Sequence, residues 1–108
     1  MNGYTFITGA TGGLGEEFCF QCAKKGENLF LTGRSEEKLS LLKEKLLNKY
    51  PGIKIDYCPC MLTSETDRAD LMKYADEKKI TFSRFVNVAG VDSQLAFEKY
   101  TQEKILFQ

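Results

Sequence analysis

The sequence predicts an α/β fold in which a doubly wound parallel sheet of four strands, ordered 3-2-1-4, carries helices on its flanks. Three observations lead there. Short apolar runs alternate with helical patterns along all 108 residues. The first run, Tyr4-Thr5-Phe6-Ile7-Thr8, breaks into a glycine cluster at Gly9, Gly12, Gly13 and Gly15 just where an amphipathic helix begins. No linker, repeat or low-complexity segment interrupts the alternation, so the chain reads as one domain, or part of one, with a single modest core.

Each element has a local reason. The first strand covers 4–8, and the helix after it runs from about 13 to 25 with an apolar stripe of Leu14, Phe18, Cys19, Cys22 and Ala23. It stops at Gly26, which takes the left-handed conformation of a helix end at no steric cost. Asn28-Leu29-Phe30-Leu31-Thr32 is the second strand. Ser35 caps the second helix, with Lys38 rather than an acid three residues on, so the capping box is incomplete. Leu39, Leu42 and Leu46, backed by Leu41 and Leu47, form its core face, and Pro51-Gly52 ends it. Ile53, Ile55 and Tyr57 alternate as a third strand, and Thr63 or Ser64 opens a third helix whose inward stripe is Leu71, Met72 and Ala75. Arg84-Phe85-Val86-Asn87-Val88 is the fourth strand, ending at Ala89-Gly90, and 95–107 reads as a fourth helix before the chain stops short of a fifth strand.

Right-handed crossovers place the switch point of such a sheet between its first and fourth strands, and ligands bind beyond the strands' carboxyl ends there. That rule gathers four stretches around one crevice: 9–15, 33–35, 60–63 and 87–90. The glycine turn suits a pyrophosphate. Glycines let the backbone approach closely, and the first amides of a helix have no intrahelical acceptor, so they point at an anion. A ribose with a free 2′-hydroxyl is held by a carboxylate at the end of the second strand, whereas a 2′-phosphate needs a cation. Gly33 stands at that position and Arg34 follows, which favours NADP over NAD.

Composition removes several alternatives. Fifteen basic and fifteen acidic residues cancel, so overall charge draws the chain to neither nucleic acid nor an anionic membrane. No apolar run approaches the ~20 residues of a membrane span, and the N-terminus has no signal-peptide pattern, so a cytoplasmic domain is expected. Histidine is absent, which takes away the commonest metal ligand and general base. The cysteine pairs Cys19/Cys22 and Cys58/Cys60 lie on a helix and a separate strand, and read as buried apolar thiols rather than metal ligands or disulfides.

The segments Thr8-Gly9-Ala10-Thr11-Gly12-Gly13-Leu14-Gly15, Leu31-Thr32-Gly33-Arg34-Ser35 and Val86-Asn87-Val88-Ala89-Gly90 together resemble the N-terminal, Rossmann-type half of a short-chain dehydrogenase/reductase. The resemblance spans the whole chain, and Asn87-Val88-Ala89-Gly90 is similar to the Asn-Asn-Ala-Gly motif of the compact members. It implies that Gly9, Thr11, Gly12, Gly13, Leu14 and Gly15 hold the pyrophosphate and adenosine ribose. Arg34 and Ser35 would take the 2′-phosphate, Met61 and Leu62 would face adenine, and Asn87, Ala89 and Gly90 would line the cofactor's ribose. Two residues depart from the pattern. Met61 replaces an aspartate that helps position adenine, and Val88 replaces the second asparagine.

In that family a serine and a Tyr-x-x-x-Lys pair follow the fifth strand, which this chain does not reach. Tyr74 and Lys78 match the spacing by letters but precede the fourth strand, on the sheet's flank, where a solvated i,i+4 pair is the simpler account. No catalytic residue is assigned. The resemblance implies the NADP-binding half of an oxidoreductase moving hydride between NADP(H) and a carbonyl or alcohol. The other class is a non-catalytic dinucleotide-binding or interaction module. The fourth strand would then have a bare apolar edge, from which self-association, through that edge or the 95–107 helix, is expected.

Overall fold

The computed structural model describes residues 3–61 and 63–88. Strands β1 (Gly3–Thr8), β2 (Asn28–Gly33), β3 (Ile55–Pro59) and β4 (Thr81–Asn87) alternate with helices α1 (Gly13–Lys24), α2 (Glu36–Lys49) and α3 (Glu65–Glu77). All strands are parallel and their spatial order is β3-β2-β1-β4, as the sequence predicts. The expected 95–107 helix lies outside the described residues.

Alternation along the strands splits the core in two. Ile7, Leu29, Leu31 and Ile55 face α1 and α2, where they meet Cys19, Cys22, Ala23, Leu39, Leu42 and Leu46. Phe6, Phe30 and Phe82 face α3 and pack with Leu71, Met72 and Ala75. Phe6 sits at the centre of this second layer, 5.4 Å from Phe30, 4.8 Å from Phe82 and 5.4 Å from Phe85 between ring centroids.

Both Phe82 and Phe85 reach Phe6 because β4 is bulged. Tyr4 pairs with Phe82 but Thr5 pairs with Arg84, so Ser83 is an extra residue in the ladder. In a regular strand positions three apart point to opposite faces; the inserted residue restores them to the same one. The strand therefore begins at Thr81, three residues before the start expected from its apolar pattern. β3 is displaced as well, running from Ile55 to Pro59 rather than from Ile53, because its register is set by pairing Thr32 with Cys58 and Gly33 with Pro59.

The helix ends follow their caps. Gly26 takes φ +83° just after α1, and its amide bonds Ala23 O at 2.9 Å. Ser35 Oγ accepts from Lys38 N at 3.2 Å, and Ser64 Oγ accepts from Asp67 N at 3.1 Å, so Ser64 rather than Thr63 caps α3. Three apolar residues expected to face inward do not: Leu14 and Leu41 are 64% and 53% exposed, and Phe18 is 37% exposed. The inward face of α1 is set by Gly15, Cys19, Cys22 and Ala23, which turns Phe18 toward the outer side of β4.

The outer side of β3 is poorly equipped to receive another strand. Lys54 O accepts from Leu29 N and Cys60 N donates to Gly33 O, so even-numbered backbone groups face β2 and odd-numbered ones face outward. Of the odd-numbered residues, Tyr57 donates its amide to Asp56 Oδ1 at 2.8 Å and Pro59 has no amide.

Candidate functional site

The carboxyl ends of the four strands converge on the glycine turn. Gly9 adopts φ +61°, a conformation that side chains with a Cβ rarely take, and reverses the chain out of β1. Ala10 N donates to Thr32 O at 3.1 Å, which ties the turn to β2. The helix then starts at Gly13 with Gly12 in extended geometry as N-cap and without a side-chain cap. Glu16 N reaches Gly12 O at 2.8 Å, so the amides of Gly13, Leu14 and Gly15 are the ones without an i−4 acceptor.

The four glycines of this turn do different work. A Cβ on Gly15 would collide with the Gly9 carbonyl, standing 2.8 Å from its carbon and 3.0 Å from Ala10 Cα, so this glycine lets helix and strand touch. Gly13 is the opposite case: a Cβ there would meet nothing within 4 Å. On Gly12 it would meet only Gly9 O, at an ordinary 3.6 Å. Neither has a positive φ, and both are exposed. Internal packing explains Gly9 and Gly15, whereas Gly12 and Gly13 leave bare backbone at the surface of a helix N-terminus. Bare backbone at a helix N-terminus is open to an anion. The one acid in the first turn, Glu16, is paired with Lys45 Nζ of α2 at 2.9 Å, so its charge is offset by a cation.

Beside the turn, the ends of β1 and β4 are joined through a buried hydroxyl. Thr8 Oγ1 donates to Asn87 Oδ1 at 2.5 Å and accepts from Val88 N at 3.2 Å. Asn87 is thereby held at the β1/β4 switch point, where the sequence places it. Ala89, Gly90 and Leu62 lie outside the described residues.

On the other side, Gly33 is buried at the end of β2, and a Cβ there would lie 3.2 Å from Thr11 Oγ1. Arg34 is exposed between Gly33 and Ser35, and among the described residues no carboxylate pairs with it. Ser35 Oγ is engaged as a cap but only as an acceptor, so its proton stays available to donate. Met61 is 50% exposed and its amide donates to Asp67 Oδ2 at 2.9 Å. Thr11, Gly12, Gly13, Leu14, Arg34, Ser35 and Met61 are thus brought to one end of the sheet.

Thr8 and Thr32 were not singled out by the sequence pattern, yet they fasten this end together. Thr32 Oγ1 donates to Cys58 O at 2.7 Å while its carbonyl holds Ala10 N. The available signal was a hydroxyl near the carboxyl end of two largely apolar strands, since a fully buried hydroxyl must find a partner.

Titratable groups near the sheet are tuned toward inertness. Burial pushes the Cys19 and Cys60 thiols up to about 12, with further upward pressure from Cys22 and Asp67 respectively. Cys22 accepts from Arg84 Nη2 at 3.0 Å, yet burial still raises it. Tyr74 Oη donates to Asp56 Oδ1 at 2.8 Å, and burial together with that bond raises the phenol to about 12. Lys78 Nζ stands 5.7 Å from the Tyr74 ring centroid. This pair packs against β3, two strands from the switch point, and its phenol is made harder rather than easier to ionise. Among the described residues no group of three or more Cys, Asp or Glu is placed to hold a metal ion, and no helix is long and apolar enough to cross a membrane.

Comparison with known proteins agrees with this fold. The family model described as short chain dehydrogenase matches residues 4–107. The chain is 40% identical over 52 residues to a very-long-chain 3-oxoacyl-CoA reductase of Caenorhabditis briggsae, covering 48% of itself and 16% of that protein. It is 45% identical over 53 residues to the very-long-chain 3-oxoacyl-CoA reductase of Vanderwaltozyma polyspora, covering 49% of itself and 15% of that relative. A short-chain dehydrogenase from Sphingobium yanoikuyae solved in complex with NADPH superposes with a TM-score of 0.60 at 27% identity, over 68% of this chain and 29% of that one. The chain therefore spans less than a third of the length of each of these three proteins.

Proposed function

Because the chain belongs to the short-chain dehydrogenase family, we propose that it is the NADP(H)-binding half of an oxidoreductase acting on a carbonyl or alcohol. The observation that carries this reading is the division of labour among the glycines: Gly9 and Gly15 shape the turn, while Gly12 and Gly13 have no packing reason to lack a side chain. Backbone left bare at a helix N-terminus is suited to a diphosphate.

In this reading the amides of Gly13, Leu14 and Gly15 bind the pyrophosphate, with Thr11 at the rim of the turn. Arg34 pairs with the 2′-phosphate and Ser35 donates its hydroxyl proton to it, which gives NADP preference over NAD. Met61 and Leu62 offer adenine an apolar seat in place of a carboxylate. Asn87, held by Thr8, lines the cofactor's ribose together with Ala89 and Gly90. When bound, the nicotinamide supplies or accepts the hydride, and this chain's residues orient the dinucleotide. The relatives' names point to a ketone or secondary alcohol as the substrate class. The chain acts in the cytoplasm, in keeping with its four free thiols, and assembles with a second copy through the β4 side.

The test is a fluorescence titration of the protein with NADPH and NADH. Tighter binding of NADPH is expected. Arg34→Ala should weaken NADPH by about 10-fold, the loss of one charge-assisted contact of ~1.4 kcal/mol, and leave NADH unchanged. Equal affinity for both, unaltered by the substitution, would refute the 2′-phosphate assignment.

A further inference from the structure

We infer that Thr11 is a specificity-determining residue: it closes the space over Gly33 in which a ribose-reading carboxylate would stand. The inference rests on the dinucleotide reading of the crevice and adds to it the reason that NADH is refused.

Gly33 is the end of β2, the position from which an acidic side chain would reach the two ribose hydroxyls. It has no left-handed φ, so its backbone admits any residue, and only the space around it decides. A Cβ placed there meets Thr11 Oγ1 at 3.2 Å, Thr11 Cγ2 at 3.7 Å and Leu39 Cδ2 at 3.7 Å. Leu39, fully buried in the core, is at an ordinary contact distance and sets the floor of the space. Thr11 is half-buried on a turn, and is the movable wall.

Opening the seat requires that wall to leave its present rotamer. Threonine carries two heavy atoms on Cβ, and both now face Gly33. One staggered rotamer, with the Cβ hydrogen at the nearer position, leaves only an ordinary 3.7 Å contact, but the other two do not relieve the 3.2 Å one. The turn cannot swing away as a whole either, since Gly9 fixes its reversal and Ala10 N is bonded to Thr32 O. Thr11 thus disfavours the acid that would hold a 2′-hydroxyl, and leaves Arg34 next door as the group that reads this end of the cofactor.

Two measurements test this, one of them independent of cofactor. The first is a thermal-unfolding cycle of Gly33→Ala, Thr11→Ala and the double variant. Gly33→Ala is expected to lower Tm by about 4–8 °C in the parent and by much less in the Thr11→Ala background. Additive shifts would overturn the steric claim. The second is titration of Gly33→Asp with and without Thr11→Ala. Gly33→Asp alone should lose NADPH without gaining NADH, and adding Thr11→Ala should raise NADH affinity by about 10-fold. Equal NADH affinity of the single and double variants would overturn the specificity role. Failure of the parent to bind either cofactor would overturn the dinucleotide reading and the specificity role with it, while the thermal cycle would still decide whether Thr11 fills the seat.

Discussion

The hydroxyl of Thr8 holds Asn87 across the first and fourth strands: it donates to the amide oxygen at 2.5 Å and accepts the next residue's backbone amide, Val88 N, at 3.2 Å. Both functions of one buried oxygen are used, one on a side chain of the crevice and one on the chain leaving it. Thr8→Val keeps the shape and removes both bonds, one to the last residue of β4 and one to the amide just beyond it. A loss of about 1–3 kcal/mol in chemical denaturation is expected. Thr8→Ser should recover most of it, and an unchanged midpoint for Thr8→Val would show that the pair contributes nothing.

The glycines of the turn separate packing from binding. Gly15→Ala drives a methyl into the Gly9 carbonyl and should cost about 1–3 kcal/mol or more, with cofactor binding lost as α1 is displaced. Gly13→Ala meets no atom within 4 Å and should be neutral or stabilising by about 0.5–1 kcal/mol, yet should weaken NADPH because the methyl stands where the diphosphate approaches. Denaturation midpoints and titrations on the same two variants check both halves of the statement.

Alkaline stability follows from the buried thiols and Tyr74. Cys19 and Cys60 are raised from 9.0 to about 12 and Tyr74 from 10.0 to about 12, in each case chiefly by burial. The folded state therefore keeps these protons to higher pH than the unfolded chain does. Their contribution is intact below pH 9 for the thiols and below pH 10 for the phenol, and is lost as pH rises toward 12. Unfolding midpoints should be flat in this respect at pH 7 to 8 and decline above 9. Cys19→Ala and Cys60→Ala should flatten that decline, and an unaltered slope would count against buried thiols as its source.

The groove beside β4 is where association is expected. A cavity of about 390 Å³ runs between α1 and β4, lined by Phe18, Phe85 and Val86 with Arg84, Cys22 and Lys25. Sedimentation at tens of micromolar should give a species heavier than the 12.3 kDa chain. Phe18→Lys places a charge in the groove at an already exposed position and should return the monomer. A monomeric parent would exclude this surface as an interface between copies.

Most of the architecture was legible because β1, β2, α2 and the glycine turn each obey a local rule. Ser35 caps, Gly26 terminates, and Leu39, Leu42 and Leu46 recur at helical spacing. What was not legible depended on partners distant in sequence. The bulge at Ser83 brings Phe82 and Phe85 together against Phe6 across the ladder, and nothing in Thr81-Phe82-Ser83 announces it. The start of β3 is fixed by its register with β2, and the outward turn of Leu14, Phe18 and Leu41 by which face of each helix meets the sheet. At the site, the glycines, Arg34 and Asn87 were readable as motif positions. Thr8 and Thr32 were not, since a threonine inside an apolar strand reveals its role only when its hydrogen-bond partners are known.

The shielding of β3 by Asp56 and Pro59 gives the sheet a direction of growth. That margin offers an incoming backbone few donors. A polypeptide that lengthens this sheet, whether continuing in the same molecule or arriving from another, is therefore poorly received at β3.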